Sequence, residues 1–364
     1  MKIDFIDLQT QYLKYREEID SEISGVLSTA QFIGGEKLEE LEKNLASFVG
    51  VKHAIGCSSV TDALLASLMA LNIGYGDEVI TTPFAFISSA EAIAFLGAKP
   101  IFVDIDKDSY NIDATKIEAQ ISERTKAIIP VSLFGQCADM EAINEIAKKH
   151  NIAVIEDASQ SFGATYNDKK SCGISTIGCT SFFPSNPLGA YGDGGAIFTD
   201  DDDIAAKIRV LLDHGQNDKY RYKYIGINGR LDALQAAVLN VKLKYFTDEV
   251  NIRDDIGSRY SDLLEDAEVI IPKIAQNNTS VFAYYSIRVK DRDAMVEKLI
   301  SKEIPTKILY PLPIHLQEAF LYLGHKEGDF PISEEVSTQI MSLPMCPYLT
   351  EPNQDFIVDA IKNT

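Results

Sequence analysis

The sequence predicts an α/β protein: a large unit with a mostly parallel sheet covered by helices on both faces, then a smaller α/β unit. Three observations carry this. Short apolar runs alternate with helical stretches between about residues 78 and 155. The pattern changes from about residue 246, where shorter strand-like runs and proline-rich turns follow. A length of 364 residues suits one large domain plus a smaller one, with the boundary expected between residues 245 and 246.

In order, residues 10–29 read as an amphipathic helix carrying Tyr12, Ile19, Ile23 and Val26 at roughly helical spacing. A second helix over Glu36–Phe48 ends at Gly50. Residues 77–82 read as a strand, Ser88–Leu96 as a helix, and Lys99–Asp104 as a strand. Thr115–Ile121 is helical, Ala127–Val131 a strand, Met140–His150 helical and Ile152–Ile155 a strand. The smaller unit takes strands Val269–Pro272 and Val281–Val289, helix Ala294–Glu303, and turns at 305–313. In sheets of this kind ligands sit at the carboxyl ends of the strands, so the segments leaving those ends are where chemistry is expected.

Composition narrows the function classes. Apolar residues make up 46% and charged residues 24%, as in an ordinary globular enzyme. A net charge of −20 argues against binding nucleic acid or an anionic membrane, and requires an anionic substrate to meet locally concentrated basic residues. The five cysteines form no CxxC pair and read as free thiols of a reducing compartment. The five histidines make no ligand pair, so no metal site is expected. Met1-Lys2-Ile3-Asp4-Phe5 begins no signal-peptide core, and no 18-residue apolar run spans a membrane, which makes a cytoplasmic location the expectation.

Four segments carry the chemistry, each with a plain structural alternative. Ser58-Ser59-Val60-Thr61-Asp62 opens a helix with Leu64, Leu68 and Leu71 on its apolar face. Ser59 and Asp62 fit a capping box, which alone explains them; the functional alternative is a phosphate at the helix N-terminus. Ile152–Ile155 runs into Glu156-Asp157-Ala158-Ser159-Gln160 and puts Asp157 at the sheet's carboxyl edge, where a turn aspartate is the simpler account. Strand alternation sends Glu156 and Asp157 to opposite faces, so they are not a catalytic dyad. Ser181-Phe182-Phe183-Pro184-Ser185-Asn186-Pro187-Leu188-Gly189-Ala190-Tyr191-Gly192-Asp193-Gly194-Gly195 is glycine-rich at its end, permitting positive φ and close chain approach. It is no dinucleotide fingerprint, because Ile197 takes the last glycine position. Asn228-Gly229-Arg230-Leu231-Asp232 leads into a further helix, and Arg230 is either a surface arginine or a clamp for an anion.

These segments, with Pro83-Phe84-Ala85-Phe86 and Tyr310-Pro311-Leu312-Pro313-Ile314-His315-Leu316-Gln317, occur in the order seen in the DegT/StrS family of pyridoxal-phosphate-dependent nucleotide-sugar aminotransferases. The chain resembles that family from Phe5-Ile6-Asp7-Leu8-Gln9 to Leu343-Pro344-Met345-Cys346-Pro347. The resemblance implies a fold-type I aminotransferase that works as a homodimer with shared active sites. It implies that Ser59, Val60, Thr61, Ser181 and Gln160 surround the cofactor, although Val60 stands where the family usually has glycine. Asp157 would face the pyridine nitrogen, with Phe86 and Ser159 against the two ring faces and Asn228 reaching the partner's cofactor phosphate. Arg230, Lys307, Tyr310, His315 and Gln317 would meet the substrate; a lone histidine is also commonly structural.

Position 186 departs from the pattern. The family has a lysine there that forms a Schiff base and shuttles a proton; Asn186 has neither a nucleophilic amine nor a group titrating near neutral pH. The expectation is a dimer that binds pyridoxal 5'-phosphate, pyridoxamine 5'-phosphate or an external aldimine without covalent attachment and transfers amino groups very slowly. Three accounts of Asn186 stand open: an exchange made to trap the aldimine, a natural non-transaminase akin to sugar 3-dehydratases, and a catalytically silent binding or regulatory homologue. The implied reaction moves an amino group from glutamate to a 3-keto UDP-N-acetylhexosaminuronate for surface polysaccharide such as lipopolysaccharide O-antigen. A 4-keto-6-deoxyhexose aminotransferase is the alternative.

Overall fold

The computed structural model describes residues 3–362; Met1, Lys2, Asn363 and Thr364, at the ends of the two expected domains, lie outside the described residues. A seven-stranded sheet organises the first two thirds of the chain. Its strands are β1 (His53–Cys57), β2 (Glu78–Thr81), β3 (Lys99–Phe102), β4 (Thr125–Ile128), β5 (Ala153–Asp157), β6 (Ile177–Ser181) and β7 (Gly195–Thr199). The order is β1-β7-β6-β5-β4-β2-β3. Neighbours from β6 to β3 are parallel, whereas β7 runs antiparallel to both β6 and β1. Residues of β5 and β7 are buried on both faces, which is why these strands read as near-continuous apolar runs rather than alternating ones.

Helices α2 (Glu36–Val49), α3 (Val60–Ala70), α4 (Ser88–Phe95), α5 (Met140–His150) and α6 (Asp202–Leu212) flank this sheet, and α1 (Leu8–Thr29) packs through Tyr15 and Ile19 on Val238 and Val241. Local chemistry sets their ends. Asp7, Ser59, Asp139 and Asp201 accept main-chain N–H bonds as N-caps. Gly50 closes α2 in the left-handed region at φ 86°. In α5, Lys148, Lys149 and His150 complement the dipole of the last turn. Helix α3 is buried on most sides, and its Leu64 and Leu68 share one core with Ile55, Ala127, Ile155, Ile177 and Ile197 from the strands.

A 32-residue helix, α7 (Ala233–Leu264), passes without interruption across the boundary expected at 245/246. Its first half supplies Ala236, Leu239 and Phe246 to a core under the sheet. Its last turns supply Ile256, Tyr260 and Leu264 to a second core around Tyr285, Ile287, Leu299, Met341 and Leu343. That second core holds β8 (Tyr285–Arg288) antiparallel to β9 (Ile340–Leu343), with α8 (Arg292–Ser301), α9 (Pro331–Gln339) and α10 (Glu351–Lys362) around them.

Two strand expectations here are corrected. Residues 269–272 form no strand; Ile270 alone among them bridges to Arg288. The run Val281–Val289 yields a strand only over Tyr285–Arg288, because its start bonds elsewhere: Val281 N–H donates to Gly135 and Tyr284 N–H to Phe134, both in the large unit. Likewise, the expected helix at Thr115–Ile121 is a short turn at Ala114–Ile117 continued as 3-10 helix over Glu118–Gln120.

Candidate active site

Three structural ends meet at the carboxyl edge of the sheet: the end of β5, the start of α3 after β1, and the end of β6. They enclose a cavity of about 430 Å3. Among its lining residues are Ser59, Val60, Thr61, Phe86, Asp157, Ser159, Gln160, Ser181, Asn186 and Tyr310.

Asp157 is the last residue of β5 and is buried. Its carboxylate accepts from Ser89 Oγ at 2.9 Å, Ser159 Oγ at 2.5 Å and Ser159 N–H at 3.2 Å. Burial pushes its pKa up, and these bonds pull the other way. Glu156 faces the opposite side, where Ser132 Oγ and Cys172 N–H donate to it at 2.8 and 2.7 Å. Burial above all, with the neighbouring Asp157 adding to it, pushes Glu156 up to about 7. The two carboxylates therefore work in separate environments, as strand alternation requires.

Ser59 caps α3 by accepting from Asp62 N–H at 3.1 Å. The Asp62 carboxylate accepts from Ser58 Oγ. The first intrahelical bond runs from Ala63 N–H to the Ser59 carbonyl, so the N–H groups of Val60 and Thr61 precede it at the cavity rim. Such a helix start favours an anion through its N–H groups and dipole. Gly195 makes room for this turn: a Cβ there would lie 2.7 Å from the Ser59 carbonyl carbon. None of Gly189, Gly192, Gly194 and Gly195 has positive φ. These glycines serve close approach alone.

Asn186 is half-buried in the loop after β6 and lines the cavity. Its N–H donates to the Phe183 carbonyl at 2.9 Å, and its side-chain Nδ2 donates to the Ser181 carbonyl at 3.2 Å. Ser181 Oγ meanwhile accepts from Phe183 N–H at 3.1 Å. Across the cavity Phe86 is 61% exposed, so its ring offers an apolar face. Gln160 accepts from Phe134 N–H and donates to the Tyr310 hydroxyl, both at 2.9 Å.

The other proposed ligands lie outside this lining. Asn228 is exposed on the surface, its main chain bridging to Asp213. Arg230 pairs with Asp213, and its buried Nε has no partner. Lys307 Nζ stands over the rings of Phe5 and Tyr284, at 4.7 and 5.9 Å from their centroids. Gln317 turns back to the Leu312 carbonyl. His315, expected to meet the substrate, is fully enclosed, 3.0 Å from Glu334, and edge-on to Phe330. Conversely, Ser89 escaped the sequence reading. Its signal was its place in the first turn of the helix that follows the Phe86 segment. Tyr284 also lines the cavity, and nothing in its strand-like surroundings marked it.

The model of the DegT/DnrJ/EryC1/StrS aminotransferase family matches residues 14–362. The chain belongs to this aminotransferase family. A member from Pseudomonas aeruginosa, UDP-2-acetamido-2-deoxy-3-oxo-D-glucuronate aminotransferase, is 48% identical over 99% of this chain and all of its own. A UDP-N-acetyl-3-dehydro-alpha-D-glucosamine 3-aminotransferase of Acidithiobacillus ferrooxidans is 39% identical over the whole chain and 98% of its own. The crystal structure of Streptomyces venezuelae DesV in complex with a ketimine intermediate superposes with a TM-score of 0.98 at 34% identity, covering 100% of this chain and 98% of that one. The family is pyridoxal-phosphate-dependent. The residues present fit that cofactor: a buried carboxylate at the strand end, a free helix start, and an apolar ring face enclose one cavity. Position 186, in the loop beside these groups, holds an amide.

Proposed function

We propose that this family member binds pyridoxal or pyridoxamine 5'-phosphate noncovalently, in a site built for amino transfer from glutamate to a 3-keto N-acetylhexosaminuronate carried on UDP. The observation that carries the reading is the convergence of Asp157, the start of α3 and position 186 on one cavity. The two relatives acting on 3-keto UDP-sugars support the substrate class. When bound, the cofactor supplies an aldehyde that takes up the amino group and a ring that accepts the electron pair released at the donor carbon.

The chain's own residues divide the remaining work. Asp157, held by Ser89 and Ser159, keeps a proton on the pyridine nitrogen. Ser59, the N–H groups of Val60 and Thr61, and Ser181 hold the phosphate, joined by Asn228 from a second copy of the chain in a homodimer. Phe86 and Ser159 confine the ring, and Gln160 with Tyr310 closes the far wall. Arg230 or Lys307 meets the uronate carboxylate, giving local positive charge in a chain of net charge −20. The cofactor domain covers 1–245 and the smaller domain 246–364, dividing within α7. Its place in the cell is the cytoplasm, in the assembly of surface polysaccharide.

Asn186 cannot carry the proton between the donor carbon and the cofactor, a step worth roughly 10²–10⁴ in rate. The test compares amino transfer from glutamate to the UDP-linked keto sugar by this chain and by Asn186→Lys. We expect a gain of about 10³ or more. Comparable turnover in both sinks the reading, and full substrate binding without activity after Asn186→Lys favours a silent binding homologue.

A further inference from the structure

Lys242, in the first third of α7, is 3% exposed. Its ammonium donates to the main-chain carbonyl of Gly189, in the loop that carries position 186. The Tyr191 ring centroid lies 5.4 Å away. Glu249, two helical turns further along α7, is taken up elsewhere, accepting from Gln11 at 2.8 Å and from the Tyr348 hydroxyl at 2.5 Å. Lys242 is thus enclosed with a carbonyl as its hydrogen-bond acceptor. Burial lowers its pKa to about 8. A methionine of similar length would fill this space without the cost of desolvating an ammonium.

Gln235 precedes Lys242 by seven residues, two turns, and so shares its helix face. It accepts from Tyr191 N–H at 2.9 Å, and its Nε2 lies 3.5 Å from the Tyr191 carbonyl. Between them the two side chains grip the main chain at Gly189 and Tyr191. The loop inside that grip is tightly folded. Ala190 N–H donates to the Phe182 carbonyl at 2.7 Å, and a Cβ at Gly189 would lie 2.4 Å from the Pro184 carbonyl oxygen. Position 186 stands at the tip of this doubled chain. Moving Gly189 therefore moves residue 186.

We propose that Lys242, seconded by Gln235, is the positioning residue for the side chain at position 186, acting through the Gly189 carbonyl. The proposal rests on the reading above for its catalytic meaning, but the grip on the loop can be measured without cofactor. First, hydrogen exchange of the 182–191 segment is followed by mass spectrometry in the chain and in Lys242→Met, Lys242→Gln and Gln235→Leu. Lys242→Met should exchange at least tenfold faster, and Lys242→Gln, which keeps a donor, within about threefold of the parent. Second, in Asn186→Lys, condensation of pyridoxal phosphate with the amine, with loss of water, is followed by absorbance. Adding Lys242→Met should slow it about tenfold while pyridoxamine phosphate affinity, by equilibrium dialysis, stays within about threefold.

Unchanged exchange in Lys242→Met overturns the proposal, as does a fall in cofactor affinity parallel to the fall in condensation rate. Should Lys242→Met not fold, Gln235→Leu decides by the same criteria with an expected three- to fivefold effect (about 0.6–1 kcal/mol). If Asn186→Lys itself takes up no pyridoxal phosphate, the proposed function fails, and the exchange data alone judge the positioning role.

Discussion

The two groups of residues proposed for the site were placed by different means. Those proposed for the cofactor, from β5, β6 and the start of α3, all reach one cavity. Of those proposed for the substrate, Tyr310 lines it, while Lys307, His315 and Gln317 turn to other partners. A strand end or a helix start fixes where a side chain goes within two or three residues. A proline-rich loop does not: the direction of each residue depends on what the loop packs against. Ile314 N–H, for example, bonds to the Pro83 carbonyl at 2.8 Å, and that anchor drives His315 inward.

The contrast can be broken in four ways. The largest effect is expected on the cofactor side. Asp157→Ala in the Asn186→Lys background should lower amino transfer about 10³-fold or more, since the ring nitrogen loses its counter-charge. A loss under tenfold would remove Asp157 from the cofactor's partners.

Next comes Glu156, behind the same strand. Its carboxyl is raised in the folded state, so it binds a proton there at pH values where the unfolded chain has lost it. The stability it contributes is full below the unfolded carboxylate range and is lost as pH rises through about 7. Urea unfolding at pH 5 and pH 8 should show that Glu156→Gln flattens this dependence, by up to about 3 kcal/mol. Parallel pH profiles would show that Glu156 does not titrate in this window.

On the substrate side, His315→Ala should cost about 2 kcal/mol of stability through the lost Glu334 contact, with KM for the sugar nucleotide changed less than about threefold. A large KM effect at unchanged stability would restore His315 as a ligand. Smallest is Ser89→Ala, which removes one of three bonds to Asp157. Cofactor affinity should fall roughly five- to tenfold, about 1–1.4 kcal/mol. An unchanged affinity would leave Ser159 as the sufficient support.

The same division explains what could be read from the residues alone. The places of Asp157 and Ser59 at the cavity were legible because an apolar strand or a capped helix announces its own end. Those of Ser181 and Asn186 were legible through the motif around them. The burial of His315 against Glu334 was not legible, because isolated burial leaves no periodic signature and the partner lies 19 residues away. Val281 had strand composition, yet its partner is Gly135, which local pattern cannot foresee. Which of its two uses glycine serves at Gly192, Gly194 and Gly195 was likewise left open by the sequence. Glycine permits both unusual backbone and close packing, and the bulk of Leu231, Gln235 and Ser59 selected the second.

The long helix has a mechanical consequence. At 1.5 Å per residue, α7 is a rod of about 48 Å. Each of its halves is a structural wall of a different core. Pulling the two bodies apart as rigid pieces would strip apolar side chains from one core or the other. Access for a bulky sugar nucleotide is therefore expected to come from loop rearrangement at the cavity mouth, with the helix left in place.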